Sequence, residues 1–190
     1  MLVVDFIAGP SVGKSSLALG LASALKMSQL RKPFVCEYLP EFAKKLVWQN
    51  RGHELKDRFW SSEQQNQELK LLYNPTTGID IIIFDGSLIL DAVYARWTKD
   101  PKIHEIDKLI KARYQSYSTL TIKVERNINI PYEKAGRFQT FQQSKEIDNI
   151  IENYIESWNI KTVVAHSSVS EVTRLKELIL NRLQEETNVQ

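Results

Sequence analysis

Hydrophobic and polar positions along the 190-residue chain follow two alternating periods. Short β-branched and aromatic runs recur, each followed by a longer segment whose apolar residues fall three or four apart. The run LVVDFI (2–7) predicts a strand, and SSLALGLASALKM behind it, with Leu17, Leu21 and Leu25, predicts a helix starting at Gly13 or Lys14. PFVCEY (33–38) predicts a second strand and EFAKKLVWQN the helix after it, with Pro40 suited to the first turn. SSEQQNQELKLLY (61–73) predicts a helix capped by Ser61 or Ser62. IDIIIFDGS (79–87) is unbroken in its apolar content, the mark of a strand buried on both faces at the centre of a parallel sheet. Helices follow over 88–98 and 102–116, parted by Pro101, and then a fourth strand, STLTIKVE (118–125). After the polar stretch RNINIPYEKAGRFQT comes a helix over 142–157 with Ile147, Ile150, Ile151 and Tyr154 on one stripe. KTVVAH (161–166) predicts the fifth strand, and 169–186 a last helix facing inward through Val172, Leu175, Leu178, Ile179 and Leu183.

This alternation specifies an α/β fold in three layers, a roughly five-stranded parallel sheet with helices on both faces. No repeat or linker divides it, so residues 1–187 are expected to form one domain, with a lid segment at about 126–141 and a frayed tail at 188–190. Strand order does not follow from the pattern, but ligand position does: polar residues just after each strand converge on one crevice.

Composition narrows the setting. Hydrophobic residues make up 43% and charged residues 25%, and the net charge of +2 is too small to argue for nucleic acid. No apolar run is long enough to span a bilayer, and the N-terminus enters a strand without a secretory pattern, so a cytoplasmic location is expected. The single cysteine, Cys36, excludes an internal disulfide and reads as a packed thiol. One cysteine and three scattered histidines form no metal cluster, and nothing in the pattern fixes an oligomeric state.

The chemistry is concentrated in IAGPSVGKSSL. A flexible turn between a strand and a helix aims the unpaired N–H groups of the helix start back into the loop, which makes an anion site. A lysine beside that positive helix end is unfavourable unless an anion binds there. Gly9, Pro10, Ser11, Val12, Gly13, Lys14, Ser15 and Ser16 therefore form a candidate P-loop for ATP. Lys14 reaches the β- and γ-phosphates, and Ser15 offers its hydroxyl to Mg²⁺. Ala8 stands where the pattern G-x-x-x-x-G-K-[ST] has its first glycine.

The convergence rule adds Glu37 and Glu41 after the second strand, Asp85 and Ser87 after the third, and Arg126 then Arg137 after the fourth. Carboxylates, a lysine, a hydroxyl and two arginines around one crevice are the components of phosphoryl transfer. Asp85 reads as a carboxylate for the metal or the acceptor, or as a cap for the next helix; Glu37 as a group orienting the acceptor, or as a surface ion pair. Arg126 and Arg137 bracket a lid that would exclude water and stabilise charge. Glu41, Gln65 and Ser87 are candidate acceptor contacts; Trp48, Trp60, Trp97 and Trp158 read as core or edge packing, and one of them near the acceptor crevice could stack on a base.

Taken together, AGPSVGKSSLALGLA, CEYLPEFAKK, the Gln-rich helix, IIIFDGSLIL and GRFQTFQQSKEIDNIIENYI resemble the P-loop kinases related to nicotinamide riboside kinase. The likeness is to the kinase domain of the bifunctional bacterial NAD-biosynthesis regulator and to small phage-encoded relatives. It implies a nucleotide-kinase-like P-loop NTPase fold, ATP and Mg²⁺, a carboxylate at Asp85, acceptor contacts near Glu37 and Glu41, and a lid arginine at Arg137. Leu39 and Pro40 depart from the arginine that relatives often carry before the second glutamate, which touches acceptor identity more than ATP use. The expected activity is γ-phosphate transfer to a nucleoside or nucleotide; the alternatives are a kinase of DNA 5′-ends or hydroxymethylated bases, and a nucleotide-dependent switch ATPase.

Overall fold

The structure of the protein is a computed structural model, which describes residues 1–28, 33–127, 131–133 and 138–188. Five parallel strands, β1 (Leu2–Ile7), β2 (Cys36–Leu39), β3 (Ile81–Phe84), β4 (Thr119–Glu125) and β5 (Thr162–His166), form one sheet in the order β2-β3-β1-β4-β5. Every pairing is parallel, with Val4 opposite Ile83 on one side and Leu120 on the other. The helices are α1 (Lys14–Lys26), α2 (Phe42–Trp48), α3 (Arg58–Leu72), α4 (Ile89–Trp97), α5 (Ile103–Gln115), α6 (Phe141–Ser157) and α7 (Val169–Asn188). No helix among the described residues is long and apolar enough to cross a membrane.

The expected strands all form, and the alternation of β1 divides the core in two. Leu2, Val4 and Phe6 pack with α1 and α7, whereas Val3 and Ile7 pack with α3, α4, α5 and α6. All six β1 residues are at most 2% exposed, so apolar burial on both faces holds β1 at the sheet centre. One helix start and the place of the capping box differ from expectation. Helix α3 begins a turn earlier, where the Asp57 carboxylate accepts the Trp60 N–H at 3.0 Å. Ser61 and Ser62 therefore lie inside the helix and are buried. The capping box forms instead at α6, between Thr140 and Gln143. Beyond α2, a short 3-10 turn (Gly52–Lys56) leads into α3.

One β1 residue breaks the apolar rule. Asp5 is 2% exposed; it accepts the Thr121 hydroxyl at 2.7 Å, and Ser87 also bonds it. Burial pushes its carboxyl from 3.8 up to about 6, against the two hydroxyls that favour the anion. Between those values the folded chain binds more protons than the unfolded one, so Asp5 contributes less stability as pH rises through this window. Asp5→Asn should remove that dependence. Denaturant unfolding should show its stability relative to wild type rising by roughly 3 kcal/mol between pH 4 and pH 7. A difference that stays flat with pH would mean Asp5 titrates alike in both states.

Candidate phosphoryl-transfer site

The turn after β1 is built around backbone conformations that few residues adopt. Gly13 caps α1 at φ 95°, and Ser11 also lies at positive φ, 62°. A Cβ on Gly13 would stand 2.4 Å from Ser167, whose hydroxyl donates to the Gly13 carbonyl at 3.1 Å. Ala8, in place of the first glycine, packs its methyl into the core beside α1 at 6% exposure.

Lys14 leaves the first turn of α1 and is buried between two carboxylates. Its Nζ donates to Glu41 Oε2 at 2.7 Å, to Asp85 Oδ1 at 3.1 Å and to the Asp85 carbonyl at 3.3 Å. Burial by itself would lower the ammonium pKa, but Glu41 and Asp85 outweigh it and raise it. Burial likewise works to raise Asp85, yet Lys14 and hydrogen bonds from Ser15, Lys14 and Tyr38 hold its carboxyl below the usual range. The Tyr38 hydroxyl donates to Asp85 Oδ2 at 3.0 Å. Asp85 is thus no helix cap; α4 starts without a side-chain cap, and Ser87 Oγ accepts the Ile89 N–H at 3.3 Å.

A cavity of about 870 Å³ runs from this loop across the top of the sheet. Gly9 to Ser16 line one end; Phe42, Val47 and Trp48 from α2, Arg58 and Gln65 from α3, and Asp91, Tyr94 and Trp97 from α4 line the other. Glu41 also lines the cavity, as do Pro131, Glu133, Phe138 and Gln139 of the segment between β4 and α6. The Glu133 N–H donates to Ser11 Oγ at 2.8 Å, which fastens that segment to the loop. Gln65 is 6% exposed: its Oε1 accepts the Phe42 N–H at 2.7 Å, and its buried Nε2 has no partner among the described residues. Burying an amide donor without a partner is costly. Beside it, Arg58 lies 5.5 Å from the Tyr94 ring centre. Burial pushes the Asp91 carboxyl up to about 7, against Arg58 and a hydrogen bond from Ser62.

Sequence reasoning placed Lys14, Ser15, Glu41, Gln65, Asp85 and Ser87 around one crevice, and the fold brings them together. Two residues need correction. Glu37 does not reach the cavity; on the sheet's edge strand it pairs with Lys26 at 3.0 Å, as a half-exposed surface ion pair. Arg126 turns behind the loop rather than into the cavity, bonding Asp148 Oδ2 through Nε at 2.9 Å and the Pro10 carbonyl at 3.1 Å. Arg137 lies outside the described residues. Sequence reasoning missed Tyr38, Arg58, Asp91 and Asp148, whose partners are distant in the chain. The one signal was Asp148 itself, a carboxylate beside the apolar stripe of α6.

A model of the AAA domain family matches residues 3–171. The chain belongs to that family. A search of curated protein sequences gave no match to this AAA-domain chain. Among solved structures it resembles deoxyadenosine kinase from M. mycoides with dCMP and a flexible dCDP bound, at TM-score 0.57 and 14% identity, covering 97% of this chain and 100% of that one. The same kinase with dATP bound gives TM-score 0.56 and 15% identity over the same shares. At such identity the likeness establishes the fold, a P-loop nucleoside-kinase-like α/β sandwich.

Within this AAA domain, Asp148 explains Gly9. Its Oδ1 accepts the Gly9 N–H at 3.2 Å, and a Cβ on Gly9 would lie 2.1 Å from that oxygen and 3.1 Å from the Ser144 carbonyl. Gly9→Ala should cost roughly 1–3 kcal/mol in urea unfolding through overpacking. Half or more of that cost should vanish in an Asp148→Ala background. An equal cost in both backgrounds would mean the close approach is not what requires glycine.

Proposed function

We propose that this protein is an ATP- and Mg²⁺-dependent phosphotransferase that moves the γ-phosphate to a hydroxyl of a nucleoside. The observation that carries this reading is the continuous cavity lined by Lys14, Ser15, Glu41 and Gln65, whose buried amide nitrogen has no partner among the described residues. Its volume suits one nucleoside and a triphosphate tail, and the fold's solved neighbours are named as a deoxyadenosine kinase.

Each side chain has a role that its position supports. The loop amides and Lys14 bind the β- and γ-phosphates, which draws Lys14 off Glu41. Ser15 and Asp85, hydrogen-bonded to each other, are hard oxygen donors at the loop's edge, and fit a cation that keeps most of its water and phosphate ligands. Ser15 and Asp85 would hold Mg²⁺ at that edge, and the ion would supply neutralisation of the phosphate charge. Glu41, freed of Lys14, accepts the proton of the acceptor hydroxyl as its oxygen bonds to the γ-phosphorus and the bond to the β-phosphate bridging oxygen breaks, releasing ADP. A carboxylate here favours a hydroxyl acceptor over a phosphate, because a phosphate is already an anion and needs no base. Gln65 donates to the acceptor's base, with Arg58 and Asp91 as polar neighbours and Trp97 and Tyr94 as apolar wall.

The test is transfer of labelled γ-phosphate to a panel of nucleosides including nicotinamide riboside, nucleoside monophosphates, and plain and hydroxymethylated DNA. Label on a nucleoside is expected; label on DNA alone, or hydrolysis without any labelled acceptor, would overturn the reading. Lys14→Ala should abolish ATP binding and transfer. Glu41→Gln should lower kcat about 10²-fold or more while ATP binds at least as tightly, since Lys14 loses a competing partner. Gln65→Leu should raise the acceptor KM about tenfold and leave the ATP KM unchanged.

A further inference from the structure

Helix α2 carries two charged side chains toward the loop. Glu41, at its N-cap, holds Lys14, and Lys44, one turn on, reaches the Ser15 hydroxyl with Nζ at 3.4 Å. Its neighbour Lys45 turns away and pairs with Glu68 at 3.5 Å. Lys44 is exposed, borders the cavity and forms no ion pair among the described residues.

The charge balance at the phosphate end gives this ammonium a purpose. Lys14 faces two carboxylates, Glu41 and Asp85, so these three groups together carry one net negative charge. A triphosphate entering that field needs more positive charge than Lys14 supplies. The Arg126 guanidinium is engaged by Asp148 and the Pro10 carbonyl on the far side of the loop. Lys44 already stands at the loop, on the oxygen that the metal site would claim. Once that hydroxyl is taken, an oxygen of the terminal phosphate is the nearest replacement acceptor for Nζ. Its approach from α2 is from the acceptor side, where charge builds on the phosphoryl group as it crosses.

We propose that Lys44 is a second phosphate-binding lysine and a catalytic residue, contacting the transferred phosphoryl group from the acceptor side. This rests on the kinase reading above. Because the contact strengthens as the phosphoryl moves, its loss falls on the rate at saturating substrate more than on ATP affinity. Lys44 is exposed, so its substitution leaves the core intact.

The experiment compares wild type, Lys44→Ala, Lys44→Arg and, as a control, Lys45→Ala. It measures Mg²⁺·ATP affinity by calorimetry and single-turnover transfer to the best nucleoside of the panel. Lys44→Ala is expected to slow transfer about 10²-fold while weakening ATP binding by about tenfold or less. Lys44→Arg should recover part of the rate, and Lys45→Ala should match wild type. If Lys44→Ala transfers as fast as Lys45→Ala, or loses ATP affinity with an unchanged saturated rate, the assignment of Lys44 falls while the kinase reading stands. If wild type binds ATP but transfers to nothing, the kinase reading fails and Lys44 with it.

Discussion

A buried ammonium organises this molecule's site. Lys14 has a side chain 10% exposed and could not be held so without compensating charge, because a lone cation removed from water costs several kcal/mol. Glu41 and Asp85 supply that compensation from opposite sides. Each comes from the carboxyl end of a different strand, β2 and β3, so the pairing also fixes how those strand ends stand relative to the loop after β1. Tyr38 extends the network by fixing the far oxygen of Asp85.

The same network sets out what a triphosphate would change. On the proposed reading, phosphate oxygens would replace the carboxylate partners of Lys14, and a metal would take the Ser15 hydroxyl that now accepts from Lys44. Helix α2 is attached to the loop through these two polar contacts, while its Phe42 ring packs edge-on against Trp60 of α3 at 5.7 Å. On the proposed reading, phosphate binding and acceptor positioning therefore share one short element. Behind the loop, Asp148 and Arg126 tie Gly9 and Pro10 to α6 and the end of β4. The loop is thus held from the side away from the cavity, and its cavity side is left to ligands.

How much of this was legible in the chain differs from residue to residue. Lys14 and Ser15 were readable because a P-loop is local: strand, turn and helix start follow one another, and their spacing is the geometry. Asp85 and Ser87 were readable because a fully apolar strand identifies an interior strand buried on both faces, and an interior strand delivers its next residues to the crevice. Glu37 was misassigned because β2 is the edge strand, where a side chain can reach solvent and Lys26 instead of the crevice, and strand order is not written in periodicity. Arg126 was misassigned because its direction is set by Asp148, and nothing local records that pair. Ser61 looked like a helix start because Asp57, the residue that caps α3, lies one turn earlier behind a 3-10 turn with no regular pattern.

The sequence by itself determined the α/β class, the five strands and the phosphate loop. These follow from backbone hydrogen bonding and burial within contiguous segments, whose periods survive without knowledge of neighbours. Only the tertiary structure decided that Glu41 rather than Glu37 meets Lys14, that Arg126 braces the loop, and that the Gln65 amide nitrogen is buried without a partner among the described residues. Those outcomes depend on which strand lies at the edge and which helix packs beside it. Contacts between residues far apart in the chain are selected by the packing of the whole core, which no local pattern encodes.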